Sequence, residues 1–180
     1  MKDICKLKWT VLQASIFSLL CLKVGQKLGV REISRLLGVS PTAVSKSLLL
    51  FEKNNIIIKD EKNRNFLIEL NINDKNIINL KRVENLRCIY QSGLASFLID
   101  KFPESNIFLF GSYSFGQDSV LSDIDFAIIG SKEKTADLVK YEKLFERKIY
   151  IHFFKNFKDI NKNLKENIFN GILLNGGVEL

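Results

Sequence analysis

The sequence is poor in the residues that mark several protein classes. Among its 180 residues there are two prolines, three cysteines, one methionine, one tryptophan and a single histidine, His152. Cys5, Cys21 and Cys88 are odd in number and far apart. That pattern fits neither a disulfide framework nor a metal-binding cysteine cluster, so free, mostly buried thiols are expected. Long hydrophobic runs are also missing. The best candidate, Val11–Leu22, falls short of the roughly 20 residues a membrane span needs, and it contains Gln13, Ser15 and Ser18. A basic leader followed by a small-residue cleavage site is not seen, so a cytoplasmic location is expected. The scarcity of proline beside abundant Lys, Asn and Ile reflects codon usage rather than function. With 46% hydrophobic and 26% charged residues, the chain reads as soluble and globular.

The net charge of +7 is uneven. Residues 1–70 hold 12 Lys/Arg against 6 Asp/Glu, whereas residues 71–180 hold 15 against 14. Such asymmetry is expected where the first part meets a polyanion and the remainder does other work.

Trp9, Leu12, Ile16, Leu19, Leu20 and Val24 recur at helical spacing and predict an amphipathic first helix. A short helix over Arg31–Leu37 follows, with Ile33, Leu36 and Leu37 expected inward. Gly38 suits a turn requiring positive φ, Ser40 is a natural N-cap, and Pro41 fits the first helical position. Val44, Leu48 and Phe51 form the inner stripe of the next helix, with Thr42, Ser45 and Lys46 outward. Leu49 and Leu50 extend the apolar stripe, as packing or as a contact surface. Two helices joined by so tight a turn match the helix-turn-helix pattern. The β-rich runs "NIIIKD" and "NFLIEL" then predict a hairpin carrying Lys59, Lys62 and Arg64.

Over roughly residues 9–71 the sequence resembles a winged helix-turn-helix domain, a common prokaryotic DNA-binding module. The resemblance implies a recognition helix at Pro41–Lys53 and a wing at Lys59–Arg64. Ser40, Thr42, Ser45, Lys46, Lys59, Lys62 and Arg64 are then the expected contacts to double-stranded DNA. It also implies a homodimer, since such domains usually read two half-sites. Winged helices serve as protein-docking modules too, so an adaptor role is a third, weaker reading.

Residues 73–102 read as a helical connector with Ile77, Leu80, Val83, Leu86, Ile89 and Tyr90 on one side, weakened at Gly93. Beyond it lie three apolar strand candidates, Asn106–Ser112, Asp123–Gly130 and Lys148–Phe154. Helical patterns at Thr135–Glu146 and Phe157–Phe169 alternate with them, the second with Ile160, Leu164 and Ile168 inward. The alternation indicates an α/β arrangement. The final "GILLNGGVEL" reads equally as an edge strand, a partner-binding tail or the domain's end.

Residues i and i+2 of a strand share a face, so Asp123 and Asp125 point the same way. Two carboxylates this close repel unless a cation or base lies between them. Upstream, Gly111 permits a sharp turn, and Ser112 offers a hydroxyl and an N–H where phosphate oxygens would fit. The run "GSYSFGQDSVLSDIDF" resembles the signature of the DNA polymerase β-like nucleotidyltransferase superfamily, most of all its minimal nucleotidyltransferases. The resemblance covers about residues 94–156. It implies Mg²⁺, or Mn²⁺ in its place, on Asp123 and Asp125, and a nucleoside triphosphate cradled by Gly111 and Ser112. Gly116 and Ser122 match further positions of the signature, and the implied reaction is transfer of a nucleoside monophosphate to a hydroxyl. Minimal nucleotidyltransferases often act in toxin–antitoxin pairs, so the resemblance makes a partner toxin one acceptor to consider.

The expected fold class is therefore a two-domain α+β / α/β protein. A winged helix-turn-helix occupies 1–72, a helical connector 73–102, and a nucleotidyltransferase-like domain with a small mixed sheet 103–180. The resemblance breaks at one point. The superfamily places a third carboxylate on a later strand, and the matching face of "RKIYIHFF" carries Tyr150, His152 and Phe154. Glu146 and Asp159 are too far along the chain to replace it comfortably. His152 is the alternative metal ligand or base, or else a hydrogen-bonded filler. A regulator whose degenerate transferase domain senses nucleotide or mediates assembly is the competing function.

Overall fold

A computed structural model of the chain describes residues 8–62 and 65–177, which divide into two compact units between Asn73 and Asp74. The first contains α1 (Val11–Leu22), β1 (Leu28–Gly29), α2 (Val30–Leu37), α3 (Pro41–Lys53), β2 (Ile57–Lys62) and β3 (Asn65–Leu70). Its sheet is antiparallel in the order β1-β3-β2. Three helices followed by a hairpin, with a short strand closing its outer edge, form a winged helix.

Local chemistry sets the helix ends. Thr10 and Gln13 make a reciprocal capping box at the start of α1. The Ser40 hydroxyl accepts the Ala43 N–H at 3.2 Å, with Pro41 following at the first helical position. Gly38, at φ 67°, ends α2. The core gathers Ile16, Phe17, Leu20, Val24, Ile33, Val44, Leu48, Phe51 and Ile68. The Trp9 and Phe17 rings lie 4.7 Å apart and the Trp9 and Phe51 rings 5.5 Å apart. Leu36 departs from its expected inward place and is 47% exposed. Ser34 turns inward instead, where its hydroxyl donates to the Val39 carbonyl at 2.6 Å and closes the helix-turn-helix corner.

The second unit contains α4 (Lys75–Gln91), α5 (Leu94–Lys101), β4 (Asn106–Phe110), α6 (Gly111–Phe115) and β5 (Ile124–Ile129). It continues with α7 (Val139–Phe145), β6 (Ile149–Phe154), a 3₁₀ turn (Phe157–Asp159), α8 (Lys162–Phe169) and β7 (Ile172–Asn175). The sheet runs β6-β5-β4-β7. β5 and β6 are parallel, while β4 is antiparallel to β5 and β7, so the sheet is mixed. Strand alternation divides it into two faces. Ile107, Leu109, Ile124, Phe126, Ile128 and Ile149 pack with Ile89, Leu94, Leu98 and Phe145 from the helices. Phe108, Phe110, Ala127 and Ile129 pack with Ile160 and Ile168 on the other side.

Three sequence expectations need correction here. The helix expected from Thr135 begins at Val139, after an irregular stretch. The helix expected across Phe157–Phe169 is broken, because Asn161 caps a new helix by accepting the Leu164 N–H. On α4 the inward face is Ile77, Lys81, Glu84, Asn85 and Ile89, while Val83 is 65% and Tyr90 49% exposed. Apolar spacing misassigned this helix because Lys81 and Asn85 are drawn inside by a buried carboxylate, Asp118. The C-terminal run is an edge strand as far as Asn175. Among the described residues no helix is long and apolar enough to cross a membrane.

Candidate functional site

The site of the second unit begins with register. Antiparallel pairing of β4 and β5 sets Phe110 opposite Asp125, and the chain turns immediately afterwards at Gly111. Gly111 has φ +73°, and a Cβ there would lie 2.9 Å from Asp125 Oδ2. The residue type is thus fixed twice, by conformation and by the carboxylate overhead. Ser114 Oγ donates to the Gly111 carbonyl at 2.8 Å, closing the turn. Ser112 is partly exposed, and its carbonyl accepts the Gln117 N–H at 3.0 Å.

Gly116, at φ +71°, serves a different neighbour. A Cβ there would stand 2.5 Å from the Ile78 carbonyl oxygen and 2.8 Å from the Arg82 nitrogen, so the loop lies directly on α4. Two residues later Asp118 is fully buried. Asn85 Nδ2 donates to its Oδ1 at 2.7 Å, Arg147 Nη2 to its Oδ2 at 3.0 Å, and Lys81 Nζ also bonds Oδ1. Asn85 Nδ2 also donates to the Tyr113 carbonyl at 2.9 Å. A carboxylate without water is stable only with such full pairing. This network binds α4, the loop and Arg147, two residues before β6. Sequence reasoning missed it; the signal was Lys81 and Asn85, four apart on a helix whose apolar stripe was otherwise incomplete.

The loop ends with Ser122, whose Oγ accepts the Ser119 N–H at 2.9 Å, so this hydroxyl pins the backbone. Asp123 follows, exposed, one residue before β5. Asp125 is on the sheet face shared with Ala127 and Ile129, opposite Tyr150 of β6. His152 Nε2 lies 3.2 Å from Asp125 Oδ1, and its ring packs edgewise on Phe110 at 5.3 Å. The β6 face beside the aspartates therefore presents Tyr150, 51% exposed, and His152, and no carboxylate. Among the described residues no three His, Cys, Asp or Glu side chains converge as a metal site. Asp123 and Asp125 supply two carboxylates, and a divalent ion held by so few protein ligands completes its coordination with water or phosphate oxygens. They do not form an all-protein cage.

In the first unit, Thr42, Ser45 and Lys46 lie together on the exposed face of α3, continued by Leu49 at 63% exposure. The Ser40 hydroxyl is committed to its cap. Lys59 Nζ pairs with Glu52 at 2.7 Å and sits 4.0 Å over the Phe66 ring. Arg64 lies outside the described residues, as does the side chain of Lys62. Arg31, Glu32, Pro41 and Phe66 line a groove between the starts of α2 and α3 and strand β3.

Comparison with known proteins gives the following. Solved structures of ZitR from Lactococcus lactis, a zinc-responsive MarR family member, are 22% identical over 57% of this chain and 69% of theirs, with a TM-score of 0.41. The same protein in complex with DNA matches with 22% identity, 57% and 68% coverage, and a TM-score of 0.42. The winged-helix assignment stands on the first unit's own element order. A search of curated proteins gives no match. Residues 94–176 match the family model described as polymerase beta, nucleotidyltransferase. That match lies within the second unit and supports a polymerase beta-type nucleotidyltransferase fold for it.

Proposed function

We propose that the protein binds double-stranded DNA through its winged helix. Its second domain, in this reading, binds a nucleoside triphosphate and transfers a nucleoside monophosphate to a hydroxyl acceptor. The observation that supports the second half is the Gly111 turn packed against Asp125, so close that a Cβ on Gly111 would lie 2.9 Å from Asp125 Oδ2, with Asp123 two residues earlier in the chain.

Gly111 and Ser112 would bind phosphate oxygens through N–H groups and the Ser112 hydroxyl. Asp123 and Asp125 would hold the Mg²⁺ or Mn²⁺ that arrives with the triphosphate, which neutralises charge on the transferring phosphoryl group. An acceptor oxygen bonds to the α-phosphorus, pyrophosphate leaves, and the hydroxyl proton passes to a base. His152 is the imidazole on this face that could take it, through the ring nitrogen not bonded to Asp125, because a nitrogen facing a carboxylate oxygen already carries its proton. Gly116 and Ser122 shape the loop around this site. A partner toxin protein remains a candidate acceptor.

The test is incubation of the full chain with labelled nucleoside triphosphates, Mg²⁺ and hydroxyl acceptors. Label transfer that needs both Asp123 and Asp125 supports the reading, and its absence on every acceptor counts against turnover. The vacant third-carboxylate position favours one second reading, a regulator that senses nucleotide without chemistry. There, nucleotide would alter DNA affinity in the wild type and not in Asp125→Asn.

For the DNA half, support comes from the winged-helix topology, the charge excess of residues 1–70 and the polar exposed start of α3. Thr42, Ser45 and Lys46 would read the major groove. Ser40 would contribute through the capped helix end, and Lys59, Lys62 and Arg64 through the wing.

A further inference from the structure

The sheet of the second unit sets three residues in a row on one face. Phe110 pairs with Asp125 across β4 and β5, and Asp125 pairs with Tyr150 across β5 and β6. Register partners share a face, and neighbouring strands lie about 4.8 Å apart. The Gly111 turn, which follows Phe110, therefore flanks Asp125 on one side, and Tyr150 flanks it on the other. Tyr150 is 51% exposed, and among the described residues no hydrogen bond holds its hydroxyl. Other hydroxyls of the loop are committed to its backbone, Ser114 to the Gly111 carbonyl and Ser122 to the Ser119 N–H. His152, two residues further along β6 on the same face, leans back to Asp125 and the Phe110 ring.

We infer that Tyr150 is itself an acceptor of the nucleoside monophosphate, so that the domain modifies its own site. The inference rests on the transfer reading above and names a hydroxyl for it. In-line displacement sets the attacking oxygen and the leaving pyrophosphate on opposite sides of the α-phosphorus. With the β- and γ-phosphates on the Gly111 turn and the α-phosphate over Asp125, attack comes from the β6 side, where Tyr150 stands. The phenolic oxygen bonds to the α-phosphorus, the bond from that phosphorus to the bridging oxygen of the β-phosphate breaks, and pyrophosphate leaves. The phenolic proton passes to the ring nitrogen of His152 not bonded to Asp125.

An exposed tyrosine is ordinarily just surface. This one is set apart by its place, one strand spacing from Asp125 and on the side away from the phosphate turn. A hydroxyl already fixed there loses no translational freedom in meeting the nucleotide, as a free acceptor must. The product is a phosphodiester beside Asp125 that obstructs the next nucleotide, so the reaction stops at one nucleoside monophosphate per chain.

The test is incubation of the full chain with Mg²⁺ and ATP, GTP, CTP or UTP in turn, without added acceptor, followed by intact mass and peptide mapping. The mass of one nucleoside monophosphate should appear on Tyr150, retaining label from the α-phosphate and none from the γ-phosphate. Tyr150→Phe should stay unmodified while its urea unfolding and its nucleotide binding by calorimetry match the wild type. In a mixture of Asp125→Asn with Tyr150→Phe neither chain should be labelled. Label on Asp125→Asn there, or on a residue other than Tyr150 in the wild type, would overturn the in-site acceptor. An unlabelled chain that still labels an added hydroxyl acceptor would overturn this inference and leave the transferase reading standing. Nucleotide that binds and labels neither chain nor acceptor would overturn both.

Discussion

Asp125 and His152, 27 residues apart in the chain, meet across the β5–β6 ladder with 3.2 Å between Oδ1 and Nε2. One carboxylate oxygen therefore faces an imidazole, and the other faces the Gly111 turn. The two residues should separate by role. Asp125→Asn should abolish Mg²⁺-dependent nucleotide binding, measured by calorimetry. His152→Ala should leave binding within a few-fold while transfer, once measured in the wild type, falls by about 10²–10⁴-fold. Equal loss of binding in both variants would make His152 only a prop for Asp125.

The two glycines of the loop should fail differently. Gly116→Ala drives a Cβ against the backbone of α4, which has no room to yield, and should cost about 1–3 kcal/mol in urea unfolding. Gly111→Ala meets a side-chain oxygen instead. It should displace Asp125 and remove nucleotide binding at a protein concentration where the fold, followed by circular dichroism, persists.

Asp118→Asn leaves Lys81 and Arg147 buried beside a neutral amide. Breaking such a pair costs about 3–5 kcal/mol, which urea denaturation followed by tyrosine fluorescence would register. Lys148→Ala is the control. Its ion pair with Glu142 is 3.1 Å long but the lysine side chain is 68% exposed, so the change should stay below about 1 kcal/mol.

Burial, with Glu84 nearby, pushes the Cys88 thiol from its ordinary 9.0 to about 11. Cys88 should therefore resist iodoacetamide at pH 8 and react fully only when unfolded. The unfolded thiol loses its proton near pH 9 while the folded one keeps it. Stability should then decline between pH 9 and 11. Comparison with Cys88→Ser isolates this slope from other titrating groups.

Lys46→Glu should weaken DNA binding across sequences and reduce the salt dependence of log K by about one unit per lost phosphate contact. If affinity and slope both survive, α3 does not face DNA with this surface.

Much of this architecture is legible in the amino-acid order. Ser40-Pro41 announces the start of α3, and Gly38 the end of α2, because those conformations admit few residue types. The place of Asp125 is legible too, since strand alternation separates it from Ile124 and Phe126 in the core and turns it toward Gly111. The orientation of α4 was not legible. Its inward face is decided by a carboxylate 37 residues downstream of Lys81, and apolar spacing carries no record of so distant a partner. Leu36 was misplaced for a related reason, since the corner needed the Ser34 hydroxyl more than another methyl group. The break at Asn161 was hidden because Ile160, Leu164 and Ile168 keep helical spacing across it.

β7 is the last strand in the chain and the edge of its sheet, and it pairs with the side of β4 that β5 leaves open. The winged helix completes its own sheet once Leu70 has been made, β2 and β3 being joined by a tight hairpin and β1 already synthesised. The sheet of the second unit cannot close until residue 175 follows, some 65 residues after β4. On a ribosome the two units would therefore mature in sequence, the winged helix first and early. For the rest of synthesis, β4 would carry an open strand edge that a chaperone or a neighbouring nascent chain could occupy.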